Sequence, residues 1–213
     1  DTKITGGGNL ILGSESFKNA ELKGNTGDGS SITYELTGGA TMANTNSNRY
    51  FRWTTVGAYV AKGVTLCLSV MYKPVSGADE FCMEIAYTAG YSTSQSWATI
   101  KPTDQLEIEQ TDGWVLRYGL WTPPDNATLK LVDMGSGTTH AGTGNYTNKF
   151  SLLHPMLQYG NAPTAWNASS GDYLTQESAK SLFSQTANEI KTEVTKSVTE
   201  TVTANVKDTA TSA

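Results

Sequence analysis

The apolar residues of this chain change their period once, near Tyr173, and that change limits the fold more than any other feature. Before it, large side chains recur at every second position. Val64, Leu66, Leu68, Val70 and Tyr72 share one phase, and Phe81, Met83, Ile85 and Tyr87 share another. A period of two puts alternate residues on opposite faces of a strand. After it, Leu182, Phe183, Ala187, Ile190, Val194, Val198, Val202 and Val206 follow spacings of three and four that end in a run of fours. That is the period of a helix. The chain is therefore expected to divide into an all-β part over residues 1–170 and a helical part over 171–213.

The first part predicts nine or ten strands. They fall at Asn9–Leu12, Ser31–Leu36, Arg49–Thr54, Val64–Lys73, Glu80–Tyr87, Leu106–Glu109, Gly113–Trp121, Ala127–Met134 and Lys149–Tyr159, separated by Gly, Pro, Asn or Asp turns. Such spacing reads as an antiparallel sandwich or barrel. Two-layer packing buries alternate residues of each strand. In Gly113–Trp121 the more apolar phase is Trp114, Leu116, Tyr118 and Leu120, which places it in the core and sends Arg117 and Trp121 outward.

Apolar residues make up 38% of the chain and charged residues 16%, the deficit being filled by Thr, Ser, Asn and Gly. Outward strand faces and turns take such residues. The net charge of −5 argues against nucleic acid as a partner, because phosphate binding needs concentrated Lys and Arg. No apolar run is long enough to span a membrane. The chain starts at Asp1 and stops inside the helical pattern, and is expected to be a fragment of a longer polypeptide.

In the helical part, Thr175 supplies an N-cap and Glu177 an acidic first turn. The remainder is Thr, Ser, Lys and Glu around the Val stripe, and Thr and Val are mediocre helix formers. An isolated helix of this kind is marginal in water, so packing must stabilise it. Either the helix folds back on the sandwich or copies wrap together in a parallel coiled coil, which is the preferred reading. The run of fours is a stutter nearer an 11-residue repeat. An all-Val seam leaves two and three strands open.

The two cysteines, Cys67 and Cys82, sit in separate strands and are expected to be free thiols. A hairpin turning near Val75-Ser76-Gly77 would bring Cys82 opposite Met71, out of register with Cys67. No Cys/His spacing suits zinc.

Three segments in order carry a family resemblance. AKGVTLCLSVMYKPV (61–75), DGWVLRYGLWTPPDNATLKLVDM (112–134) and KFSLLHPMLQYGNAPTAWNASS (149–170) resemble the successive strand motifs of carbohydrate-binding-module-like jelly rolls found in bacteriophage tail-tip, baseplate and tail-fibre proteins. The opening NLILGSESFKNAELKG is similar to the family's first strand, and SLFSQTANEIKTEVTKS to the helical segments that follow such modules. Gln158 stands where Glu is usual, and Asn167-Ala168 replaces a Trp-x-Pro ending. The resemblance implies a jelly-roll β-sandwich followed by a coiled coil. It implies a viral protein of the virion tail that binds bacterial-surface glycan during host attachment, with other phage tail proteins as partners. It also favours a homotrimer through residues 173–213. Such jelly rolls sometimes hold Ca²⁺ between an early Glu and an Asp of the last strand. Glu15 matches the first, but SLLHPMLQY offers no Asp, so neither a metal nor another cofactor is expected.

Catalysis has little support. His140 and His154 are the only histidines, and neither a Gly-x-Ser-x-Gly elbow nor a His-Glu-x-x-His motif occurs. Glu107 and Glu109 share a strand face, usually a solvated one. Sugar binding needs aromatic platforms beside planar hydrogen-bonding groups. Side chains out of phase with the expected core supply candidates: Trp121 with Arg117, Trp97 with Tyr91, and Trp53, with Tyr146 on the Gly-rich 135–147 loop. Trp114 and Trp166 are assigned to structure. The chain is thus expected to be a non-catalytic glycan-binding module. The alternatives are a structural docking spacer of the tail and an accessory domain of a cell-wall or polysaccharide-degrading enzyme.

Overall fold

Period-two alternation folds here into two facing antiparallel sheets. The computed structural model describes residues 8–24, 29–137 and 144–169. The helix expected over 173–213, with the trimer expected through it, and His140 lie outside the described residues. Among the described residues twelve strands form: β1 (Glu21–Gly24), β2 (Ser31–Tyr34), β3 (Ala40–Ser47), β4 (Arg49–Thr54), β5 (Tyr59–Val60), β6 (Leu66–Gly77), β7 (Phe81–Ala89), β8 (Gln95–Ile100), β9 (Leu106–Glu109), β10 (Val115–Trp121), β11 (Ala127–Ser136) and β12 (Tyr146–Tyr159). Sheet I runs β1-β4-β11-β7-β8, with β5 beside β11, and sheet II runs β2-β3-β12-β6-β10-β9.

Eight principal strands define the topology. Taken in chain order, β3, β4, β6, β7, β8, β10, β11 and β12 pair first with eighth (β3–β12), second with seventh (β4–β11), third with sixth (β6–β10) and fourth with fifth (β7–β8). One long hairpin, rolled so that its four strand pairs alternate between two sheets, gives this order, which is the jelly roll. The roll also corrects the expected β6–β7 hairpin. The two strands lie in opposite sheets, so Cys82 does not approach Met71 at all.

Four strands were not expected: β1, β3, β5 and β8. β3 reads ATMANTNS and β8 reads QSWATI, and each contributes few large apolar residues to the core. Conversely, Asn9–Leu12 is not a strand. It makes isolated bridges, Asn9 to Ser169 and Ile11 to Thr55, and crosses between the sheets. Leu10 N–H donates to the Leu157 carbonyl at 2.8 Å, and Leu12 N–H to the Thr54 carbonyl at 3.0 Å.

The core lies between the sheets. Phe17 packs edge-on to Phe51 and Trp53 at centroid distances of 4.9 and 5.0 Å. Tyr72, Phe81 and Phe150 form a second aromatic cluster. Leu66, Leu68, Val70, Met83, Ile85, Val132 and Met134 fill the space between. Gly77 ends β6 at φ +85°, where a Cβ would meet the Thr147 carbonyl oxygen at 2.4 Å. Only glycine accepts both the left-handed backbone and the close approach.

Both cysteines are free and buried, and both lie on outer faces, Cys67 opposite Gln158 and Cys82 opposite Gly135. Burial pushes each thiol up to about 12. The thiolate is the reactive form. The native protein is therefore expected to be inert to a disulfide reagent at pH 8, with both thiols titrating once denaturant unfolds it. One equivalent reacting before unfolding would contradict this. The sign of the linkage is that of an acid raised above its ordinary 9.0: stability is complete below that value and falls as the pH climbs above it.

Candidate functional site

The outer face of sheet II carries what an outward face usually lacks. Cross-strand register places Ile108, Leu116, Met71 and Leu153 in one row, and Leu106, Tyr118, Ser69 and Met156 in the next. Leu106, Ile108 and Leu120 are 52%, 44% and 41% exposed. Trp114 stands just before β10, with the Lys73 ammonium 6.0 Å from its ring centroid. This corrects the expected phase of β10. Trp114, Leu116, Tyr118 and Leu120 face outward, while Val115, Arg117, Gly119 and Trp121 face the other sheet.

Three local devices shape the face into a groove. The β9–β10 turn is Thr111-Asp112-Gly113-Trp114, closed by Trp114 N–H to the Thr111 carbonyl at 3.2 Å. Asp112 and Gly113 take φ +58° and +75°, the paired left-handed residues of a hairpin turn. This turn brings Gln110 and Trp114 to one end of the groove. The second device is a bulge in β12, where register shifts between Leu153 and Met156. His154 there adopts φ +58°, a conformation that costs a non-glycine residue about 1–3 kcal/mol.

The third device is the segment that follows β12, which crosses the outer face. Gln158 Nε2 donates to the Ala162 carbonyl at 2.8 Å, and the Thr164 hydroxyl donates to Gln158 Oε1 at 2.7 Å. Trp166 stacks on His154 at 4.5 Å and donates its Nε1–H to the Pro155 carbonyl at 3.1 Å. Asn9 holds the same carbonyl and bonds the Asn167 carbonyl and the Ser14 hydroxyl through its amide nitrogen. Its oxygen accepts from the Ile11 and Leu157 N–H groups.

Between this segment and β10 lies a pocket of about 200 Å³. Ser69, Met71 and Met156 line it from the central strands, Leu116 and Gln110 from the β9–β10 side, and His154 and Thr164–Trp166 from the other side. None of these carries a carboxylate, ammonium or guanidinium. Burial lowers the pKa of His154, leaving the ring neutral at pH 7 with one donor and one acceptor nitrogen.

The side chains expected to bind sugar are dispersed. Trp53 is 2% exposed in the core, so it offers no platform. Arg117 is buried on the inner face. Its guanidinium lies 4.0 Å from the Tyr72 ring centroid and bonds Asp79 and Glu107. Trp121, also inward, packs against Tyr87 at 4.6 Å. Trp97 is on the outer face of sheet I beneath Arg52, whose guanidinium is 5.2 Å from its ring and forks to Asp133 at 2.8 and 2.7 Å. Tyr91 is fully exposed in the β7–β8 turn, and Tyr146 starts β12, half-buried over Gly137. None of the six lines the groove. Trp114 and Trp166, assigned to structure from the sequence, do belong to it. Among the described residues, no group of three or more His, Cys, Asp or Glu is placed to hold a metal.

No protein-family model matches the sequence, and no curated protein matches it. Among solved structures, the chain is similar to the enzymatically active domain of tailspike protein 4 of bacteriophage CBA120, at 12% identity over 70% of this chain, with a TM-score of 0.43. It spans 20% of that tailspike domain. It is also similar to a family 16 carbohydrate-binding module, at 15% identity over 70% of this chain and 99% of the module, with a TM-score of 0.41. A xylan-binding domain from Paenibacillus barcinonensis matches at 15% identity over 73% of this chain and 98% of that domain, with a TM-score of 0.38.

Proposed function

We propose that this chain is a non-catalytic glycan-binding module of a bacteriophage tail, which uses the outer face of sheet II to hold host-surface carbohydrate during attachment. The observation that carries the reading is the groove itself. It sets aromatic rings, Trp114, Tyr118 and Trp166, beside hydroxyl, amide and imidazole groups on a face that packs against nothing else in the described residues. Sugar C–H faces stack on indole and phenol rings, and neutral side chains exchange hydrogen bonds with ring hydroxyls. A glycosidase needs two carboxylates about 5–10 Å apart across its cleft, and the groove lining supplies none.

A shallow site of this size binds weakly. Residues 173–213 are proposed to form a helix that gathers three copies on one stalk, so that the second and third contacts form at millimolar effective concentration. Light scattering on the chain with and without residues 173–213 tests the stalk. The expected result is a trimer that becomes a monomer on truncation, and a monomer in both removes it.

Glycan binding is tested by an array probed with the whole chain and with Trp114→Ala. Truncating an aromatic anchor at the centre of a binding face costs more than about 1 kcal/mol, so the variant is expected to bind at least 5-fold more weakly with its fold intact. A second reading, a docking spacer of the tail, is favoured by the exposed Leu106, Ile108 and Leu120 on the open edge of sheet II. An array with no binder, probed with the oligomeric protein, would select it. Release of soluble sugar from host envelope, lost on removal of a carboxylate, would instead make the protein an enzyme.

A further inference from the structure

We propose that the pocket between β10 and the Thr164–Trp166 segment selects the acetamido group of an N-acetylated hexosamine. This rests on the glycan-binding reading above and adds to it the class of sugar.

Ser69 carries the inference. It lies on the outer face of β6, yet it is only 2% exposed, because the pocket walls rise around it. Its hydroxyl has no hydrogen-bond partner among the described residues, although it lines the cavity. That hydroxyl is not among the side-chain atoms sealed from solvent without a partner, so it stays open to the pocket and free to bond a ligand seated there. The neighbours of Ser69 narrow the choice. Met71, Leu116 and Met156 surround it with apolar surface. Thr164 has already given its hydroxyl proton to Gln158 at 2.7 Å, which leaves its oxygen as an acceptor.

An acetamido group presents a carbonyl acceptor, an N–H donor and a methyl group within one planar unit. Ser69 can donate to the carbonyl, Thr164 can accept from the N–H, and the methyl is left for the thioethers and Leu116. Other sugar substituents leave part of this unmatched. A 6-deoxy methyl fills the apolar surface but leaves Ser69 unpaired. A uronate carboxylate would enter a pocket whose lining has no cation, and a desolvated charge without a partner is costly. A bare hydroxyl satisfies Ser69 but leaves the apolar surface empty. The volume, about 200 Å³, is below the roughly 300–1,000 Å³ of pockets that enclose a drug-sized ligand, which suits one substituent of a sugar whose ring stacks on Trp114 or Tyr118.

Calorimetric titration of the whole chain with four soluble oligosaccharides tests this: the trimers of N-acetylglucosamine, glucose, glucosamine and galacturonate. The N-acetylated trimer is expected to bind roughly 10-fold tighter than the glucose trimer, a difference of about 1.4 kcal/mol. Ser69→Ala is expected to remove most of that preference, weakening the N-acetylated trimer more than the glucose trimer. Thr164→Val is a second variant with the same expectation, should Ser69→Ala disturb β6. Equal affinity for the N-acetylated and glucose trimers overturns the acetamido assignment and leaves glycan binding standing. Tightest binding of the galacturonate or glucosamine trimer overturns it in the same way. No binding of any oligosaccharide at millimolar concentration, with the array also blank, overturns the glycan reading itself. Sedimentation with peptidoglycan sacculi and with lipopolysaccharide, each before and after N-deacetylation, tells which envelope polymer presents the group. Binding that survives deacetylation in both counts against the assignment.

Discussion

Asn9→Ala is expected to destabilise the protein by about 3–5 kcal/mol, because one buried side chain serves five partners at once. Its amide nitrogen donates to the Pro155 and Asn167 carbonyls and the Ser14 hydroxyl, and its oxygen accepts from the Ile11 and Leu157 N–H groups. Alanine takes a partner from each; the two amide hydrogens were shared among three acceptors and the Pro155 carbonyl keeps Trp166 Nε1, so fewer than five groups are left without any partner, each at about 1–3 kcal/mol. Local relaxation and entering water hold the total below their sum. For a domain of this size each 1 kcal/mol moves the melting temperature by about 2–4 °C, so scanning calorimetry should find a drop of roughly 6–20 °C. The effect reaches the groove. The Pro155 carbonyl that loses Asn9 is also the acceptor for Trp166 Nε1, and Asn167 follows Trp166 directly. Sugar affinity is therefore expected to fall with stability, unlike in Trp114→Ala, where affinity falls alone. A melting temperature within 2 °C of the parent would mean that the bulge of β12 holds its shape without Asn9.

The alternation that placed β6 and β7 was legible because each buries one clean apolar phase; β11 and β12 change phase at a bulge, from Leu129 to Val132 and from Leu152 to Leu157, and were legible as apolar runs. Phe81, Met83 and Ile85, for example, all lie in the core. β3 and β8 were not, because their inward residues are few or small: β3 turns Ala40, Met42 and Asn44 inward, β8 Ser96, Ala98 and Ile100. The Asn44 amide is satisfied by Asn148 at 2.9 Å, a pairing that needs residues 104 positions apart and has no local signature.

β10 misled in a more instructive way. Its more apolar phase, Trp114-Leu116-Tyr118-Leu120, faces outward. The phase that contains an arginine and a glycine faces in. Gly119 is inward because the Ile100 side chain occupies the space of a Cβ, which would meet its Cγ2 at 2.4 Å. The Asp112-Gly113 turn, once recognised, sets Arg117 opposite Glu107. Without the second sheet that pair still reads as a solvated face. The apolar excess on the outer side of β9 and β10 belongs to the proposed binding surface, and it hid the groove by resembling a core. The identity of the groove's other wall depended on a segment that contacts β12 and β6 only after the fold closes.

Removing both carboxylates that face Arg117 is expected to cost more than removing the arginine. The Arg117 side chain is 6% exposed, whereas Asp79 and Glu107 are 45% and 46% exposed. Burial alone would pull the guanidinium's pKa down, and the hydrogen bond to Asp79 and its charge, followed by the hydrogen bond to Glu107, more than reverse it. The partners are therefore unequal. In Arg117→Met, two half-exposed carboxylates return to water and a flexible side chain refills the space against Tyr72 and Phe81, at a cost of about 1.5 kcal/mol or less. In the Asp79→Ala/Glu107→Ala double variant a guanidinium stays buried without a counter-charge. Breaking a buried pair in this way costs about 3–5 kcal/mol, reduced to roughly 2–4 kcal/mol here because the lost carboxylates were partly screened by solvent. Urea titrations of the two variants measure the difference directly, and the reverse order of stabilities would show that the carboxylates, not the arginine, carry the desolvation. Arg117 lies between Leu116 and Tyr118 on the strand that presents the groove. The double variant is accordingly expected to loosen the β9–β10 hairpin and weaken oligosaccharide binding, while Arg117→Met leaves binding close to the parent's.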